Sequence, residues 1–95
     1  MPKQKEIVLS EDSLLNGKVL LRQPKEGFRA AIDTVLLAAA VPAAAGQHIL
    51  ETGTGSAAAA LCLAHRVDGV HIIGIDVNPR VISLAEANIK LNQMV

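Results

Sequence analysis

His48-Ile49-Leu50-Glu51-Thr52-Gly53-Thr54-Gly55-Ser56-Ala57 runs from a short apolar segment through an acid and a glycine-bearing turn into an alanine-rich stretch. The apolar segment is too short for a helix and lies between Gly46 and Gly53, which predicts a core strand. A helix from about Ser56 to Arg66 should follow it. Val70-His71-Ile72-Ile73-Gly74-Ile75-Asp76 is then β-branched and nearly continuous in apolar character. That is the pattern of a central parallel strand covered on both faces. Strand, helix and strand make one βαβ unit, which should be right-handed.

The rest of the chain extends this unit in both directions. Asn78-Pro79 offers a capping side chain and a proline for the first helical position, and predicts a helix running to about Asn92. Its face carries Val81, Ile82, Ala85 and Ile89. Upstream, Ala31 to Val41 favours a helix ended by Pro42 and Gly46, with Asp33 and Thr34 in or near its first turn. An acid there is either a partner of the helix dipole or a ligand-binding group. Gly17 precedes Lys18-Val19-Leu20-Leu21-Arg22-Gln23, an apolar run closed by Pro24 and read as a short strand. Pro24-Lys25-Glu26-Gly27 has turn chemistry, and a brief return strand is expected after it. Residues 1–13 are polar and without periodicity, so they read as a flexible arm, and residues 14–95 as a single domain.

Composition narrows the class. Of the 95 residues, 51% are hydrophobic and the formal net charge is zero, so the charge balance gives no sign of a nucleic-acid or membrane partner. Bases outnumber acids before Ala30, which fits a solvated basic start or an RNA-facing edge. The mean hydropathy of +0.36 suits elements buried on both faces or a piece of something larger. Cys62, within an alanine- and leucine-rich run, reads as a small buried hydrophobe in a reducing compartment. His48, His65 and His71 lack metal-ligand spacing. The apolar stretch from Val35 is broken by Pro42, far short of the roughly 20 residues that span a bilayer. With no secretion signal visible, a cytoplasmic location is expected.

The chemistry lies in the turn. Gly53 and Gly55 let a ligand approach the backbone, and the amides opening the next helix point at it. Asp76, at the end of the second strand, can accept hydrogen bonds from both hydroxyls of a ribose, or else cap the helix near Pro79. The turn also fits the dinucleotide fingerprint, with Ala58 in its last position, which keeps a nicotinamide-binding fragment in view. Glu51 argues against that reading. Its carboxylate would repel a pyrophosphate, whereas S-adenosylmethionine presents an ammonium and a sulfonium that it would attract.

On these residues the sequence resembles the class I S-adenosylmethionine-dependent methyltransferases, through Ile49-Leu50-Glu51-Thr52-Gly53-Thr54-Gly55-Ser56 and Gly74-Ile75-Asp76-Val77-Asn78-Pro79. Asp12-Ser13-Leu14-Leu15-Asn16-Gly17-Lys18, Gln23-Pro24, Gly27-Phe28-Arg29 and Asp33-Thr34-Val35-Leu36-Leu37-Ala38 are similar to the start of the branch containing tRNA adenine-N6 methyltransferases and their small-domain relatives. The resemblance implies an α/β fold, the amino-terminal part of a Rossmann-like domain built as a short hairpin, a helix and then βαβα with parallel core strands. It implies S-adenosylmethionine as cofactor, with Glu51, Thr52, Gly53 and Gly55 around its methionine and ribose, Asp76 on the ribose hydroxyls and Val77 beside the adenine. Arg29 and Asp33 would lie over the cofactor, with Arg29 either orienting its carboxylate or standing as a surface arginine on the hairpin.

Two departures from the family pattern stand out. Ala57 replaces a usual third glycine, and its methyl either crowds the cofactor or tightens helix packing. The Asn-Pro-Pro-aromatic acceptor motif is absent, and one Phe without Tyr or Trp leaves little surface for stacking a flipped base. No catalytic residue is therefore assigned. The expected activity is methyl transfer to an adenine amine in tRNA, or another nucleic-acid or protein amine, within a complete protein. The alternative is a non-catalytic cofactor-binding remnant or interaction module, associating through its exposed sheet edge.

Overall fold

The structure, a computed structural model, describes residues 8–26 and 29–92. Strands β1 (Leu9–Leu14) and β2 (Val19–Pro24) form an antiparallel hairpin, followed by α1 (Ile32–Ala40). Then come β3 (His48–Thr52), α2 (Ala58–Arg66), β4 (His71–Ile75) and α3 (Pro79–Leu91), with β3 and β4 parallel. This is the α/β order the sequence implied.

The hairpin is the main difference. Residues 9–13 were expected in a loose arm; with Leu14 they form instead the partner of β2, on its amino-terminal side rather than beyond Pro24. Its loop at Leu15, Asn16 and Gly17 takes left-handed φ angles of 53°, 55° and 83°, a geometry suited to Asn and Gly. β1 lacks an apolar signature because polar groups tie it down. Asp12 Oδ2 accepts from Ser10 Oγ at 2.6 Å, Gln23 Nε2 at 3.0 Å and Arg29 Nη2 at 3.2 Å. Residues 1–7, the rest of the arm, lie outside the described residues.

β2 alternates, with Val19, Leu21 and Gln23 buried and Leu20 and Arg22 exposed. Its inner face joins Ala38, Ala57, Ala58, Leu61, Cys62, Leu63 and Ala85 in the core. The small side chains of α2 bring it close to its neighbours. Asn78 caps α3, accepting the Arg80 N–H at 3.0 Å, and Pro79 takes the first helical position.

β4 was expected to be covered on both faces, and it is covered on one. Ile49 and Ile72 pack against the core. The opposite face pairs His48 with His71, Leu50 with Ile73 and Thr52 with Ile75. There Leu50 is 63% and Ile73 60% exposed, and the two histidine rings stack with centroids 4.7 Å apart. Among the described residues no element lies over this face. No described helix is long and apolar enough to cross a membrane.

Candidate functional site

β3 delivers Glu51 and Thr52 to a turn in which Gly53 and Gly55 take φ angles of 66° and 56°. Glycine is favoured there because a Cβ strains left-handed backbone. Nothing lies within 4 Å of where a Cβ on either glycine would stand, so the backbone faces open space. The turn is tied to β4, since the Thr54 N–H donates to the Ile75 carbonyl at 3.0 Å. Asp76 ties it again, accepting the Gly55 N–H on Oδ2 and the Asn78 N–H on Oδ1, both at 3.1 Å. The bonds from Asn78 and Gly55 hold the Asp76 carboxyl below the usual carboxylate range, so it is charged at neutral pH.

Glu51, Gly53, Gly55 and Asp76 line a cleft of about 630 Å³, with Pro24, Ala30, Asp33 and Thr34 across from them and Val81 and Leu84 of α3 at its side. Small-molecule sites take about 300–1,000 Å³. Burial pushes the Glu51 carboxyl up, while a hydrogen bond from Thr54 Oγ1 to Oε1 pulls it down. Glu51, Asp33 and Asp76 give the cleft three carboxyl groups, and no basic side chain lines it among the described residues. The resulting potential favours a cationic ligand over a pyrophosphate.

The cleft therefore gathers Glu51, Thr52, Gly53, Gly55, Asp33 and Asp76 from the residues singled out in the sequence. It does not gather Arg29 or Val77. The Arg29 guanidinium is taken up by the hairpin, donating to Pro24 O at 2.7 Å, Ser10 Oγ at 2.9 Å and Asp12 Oδ2. Val77 is fully exposed, because Asp76 and Asn78 on either side turn back to bond the backbone. Ala57 has φ 70° and 2% exposure; its methyl joins the core and does not line the cleft. Gly27 and Phe28 lie outside the described residues.

Two buried amides escaped the sequence reading. Asn88 is fully buried; its Oδ1 accepts the Arg22 N–H at 2.8 Å, and its Nδ2 donates to Arg22 O at 2.8 Å and Ser56 O at 2.9 Å. Gln23 Oε1 accepts the Ala30 N–H at 2.9 Å. Together they pin β2 to both walls of the cleft. The available signal was an asparagine three residues after Ala85 on the apolar stripe of α3, where a polar group must find partners. Burial pushes the Cys62 thiol up, which keeps it protonated. Among the described residues no group of three or more His, Cys, Asp or Glu could hold a metal ion.

The family model of the protein-L-isoaspartate(D-aspartate) O-methyltransferases matches residues 28–95. A tRNA1(Val) (adenine(37)-N6)-methyltransferase of Flavobacteriaceae bacterium (strain 3519-10) is 42% identical over 71 residues, which is 75% of this chain and 31% of that relative. The chain thus spans about a third of the length of the curated relative it matches.

Proposed function

Since the chain belongs to the S-adenosylmethionine-dependent methyltransferases, through the isoaspartate O-methyltransferase family model that it matches over most of its length, we propose that its acidic cleft binds S-adenosylmethionine. In the whole protein this cofactor would serve methyl transfer to an adenine amine of tRNA. The observation that carries the cofactor reading is the gathering of Glu51, the open glycine turn and Asp76 in one cleft that no basic side chain lines among the described residues.

Each residue suits one part of the ligand. Glu51 attracts the ammonium and sulfonium, the Gly53–Gly55 backbone accepts close contact, and Asp76 keeps lone pairs for the ribose hydroxyls beside the two backbone bonds it accepts. With Arg29 engaged by the hairpin, the ligand's carboxylate is left to turn N–H groups other than those of Thr54 and Gly55, which donate to Ile75 O and Asp76 Oδ2. The cofactor, when bound, supplies an electrophilic methyl on sulfur. The chain's own residues hold it in position, a proximity effect that needs no strong base. The adenine acceptor is favoured by the 42% identity to a tRNA adenine-N6 methyltransferase and by the similar amino-terminal segments.

Calorimetric titration with S-adenosylmethionine, S-adenosylhomocysteine and NAD tests the reading. The first two should bind and NAD should not, and Glu51→Ala and Asp76→Ala should each weaken binding. Binding of NAD alone would overturn the proposal. Incubation with labelled donor and either tRNA or an isoaspartyl peptide tests the acceptor. Label in N6-methyladenine supports tRNA, label only in peptide carboxyl groups overturns it, and binding without transfer favours a cofactor-binding module.

A further inference from the structure

Glu51 does not stand alone in the cleft wall. In the parallel register its partner on β4 is Gly74, a glycine whose φ is not in the left-handed region. Backbone freedom therefore does not explain it. A Cβ built on Gly74 would stand 2.6 Å from Thr54 Oγ1, 2.8 Å from Thr54 Cβ and 3.1 Å from Thr54 Cγ2. The Thr54 side chain occupies the place where a side chain on β4 would be. Its backbone is fixed there by the bond from its N–H to Ile75 O, and its branched Cβ restricts rotation about χ1. From that seat Oγ1 donates to Glu51 Oε1, which leaves Oε2 for a ligand.

We infer that Thr54 is a positioning residue: seated in the gap that Gly74 leaves in β4, it holds the Glu51 carboxylate in the orientation its cationic ligand requires. The inference rests on the reading of Glu51 given under Proposed function. Without the Thr54 hydroxyl, the carboxylate would be free to rotate, and the burial that raises its pKa would go unopposed. Among the described residues, the other titratable groups in the cleft are Asp33 of α1 and Asp76 beyond β4; β2, α2, β4 and α3 bring none to it. Both remain in every variant below, so a change in the pH profile reports on Glu51.

Titration with S-adenosylmethionine from acid to neutral pH, on variants whose folding is checked by circular dichroism, tests this. Wild-type affinity should fall with acid as Glu51 protonates. In Thr54→Val, affinity at neutral pH should drop about tenfold, and the acid limb should move to higher pH. Thr54→Ser, which keeps the hydroxyl, should restore both. Gly74→Ala, whose methyl would stand under 3.0 Å from both Thr54 Oγ1 and Thr54 Cβ, should displace Thr54 and reproduce the Thr54→Val behaviour. If Thr54→Val does not fold, Thr54→Ala carries the same expectation. A wild-type affinity and acid limb in the threonine variants, with Glu51→Gln removing the limb, overturns the role of Thr54 and leaves that of Glu51. An unaltered Glu51→Gln overturns both.

Discussion

Glu51 faces opposite demands from stability and from binding. Burial raises its folded pKa above the ordinary glutamate value of 4.5. A carboxyl raised in this way favours the fold while protonated, below its unfolded pKa, and that contribution is lost as pH rises through the folded value. At neutral pH the ionised group costs stability and attracts the ligand. Glu51→Gln should therefore raise Tm by a few degrees at most near neutral pH, with the gain vanishing below the ordinary glutamate value, as read by thermal melts across pH. Asp76 runs the other way, since its lowered pKa adds stability above the unfolded value that fades as acid protonates it. Ala57 sets two smaller effects against each other. Its left-handed backbone costs about 1–2 kcal/mol, and its buried methyl returns about 0.8 kcal/mol. Ala57→Gly should shift stability by no more than about 1 kcal/mol and leave cofactor affinity unchanged, because the methyl faces the core.

At the scale of elements, β2 depends on α3 as a strand depends on its neighbour. Asn88 bonds both backbone groups of Arg22, and Asn92 does the same for Leu20, at 2.7 Å to N and 2.7 Å to O. Asn88→Leu would leave Arg22 N–H, Arg22 O and Ser56 O without this partner, a loss of about 3 kcal/mol or more. Thermal denaturation should then fall by more than about 10 °C. Such clamps mark the limit of what the sequence disclosed. β2, β3, β4 and the three helices were legible because apolar runs, caps, glycines and prolines lie within each segment. Glu51, the turn glycines and Asp76 were legible because their spacing follows a single βαβ unit. β1, Thr54 and Asn88 were not, since each owes its place to a partner in another element: β1 to the polar groups around Asp12, Thr54 to the absence of a side chain at Gly74, and Asn88 to the free backbone of β2. The hairpin partners of Arg29 were hidden for the same reason, as they come from a segment that carried no strand signal.

At the scale of the molecule, the described residues extend 48 × 26 × 23 Å and leave one sheet face bare. Leu50, Ile73 and Ile75 there, with Leu36 and Leu37 of α1, are each exposed by between 48% and 63%. Apolar surface of this kind beside unpaired strand edges associates in water. The chain should sediment with a mass that rises with concentration, and Ile73→Lys should lower that mass while leaving cofactor binding intact, since Ile73 is on the face away from the cleft. A monomer at all concentrations would contradict this. The asparagine clamp has a consequence for how the molecule is made. Its bonds join residues 66 and 72 positions apart, so during synthesis, at about 5–20 residues per second, the hairpin emerges several seconds before α3 exists to meet it. In that interval the edge of β2 is open to any passing strand, and the nascent chain is most in need of a chaperone before α3 leaves the ribosome.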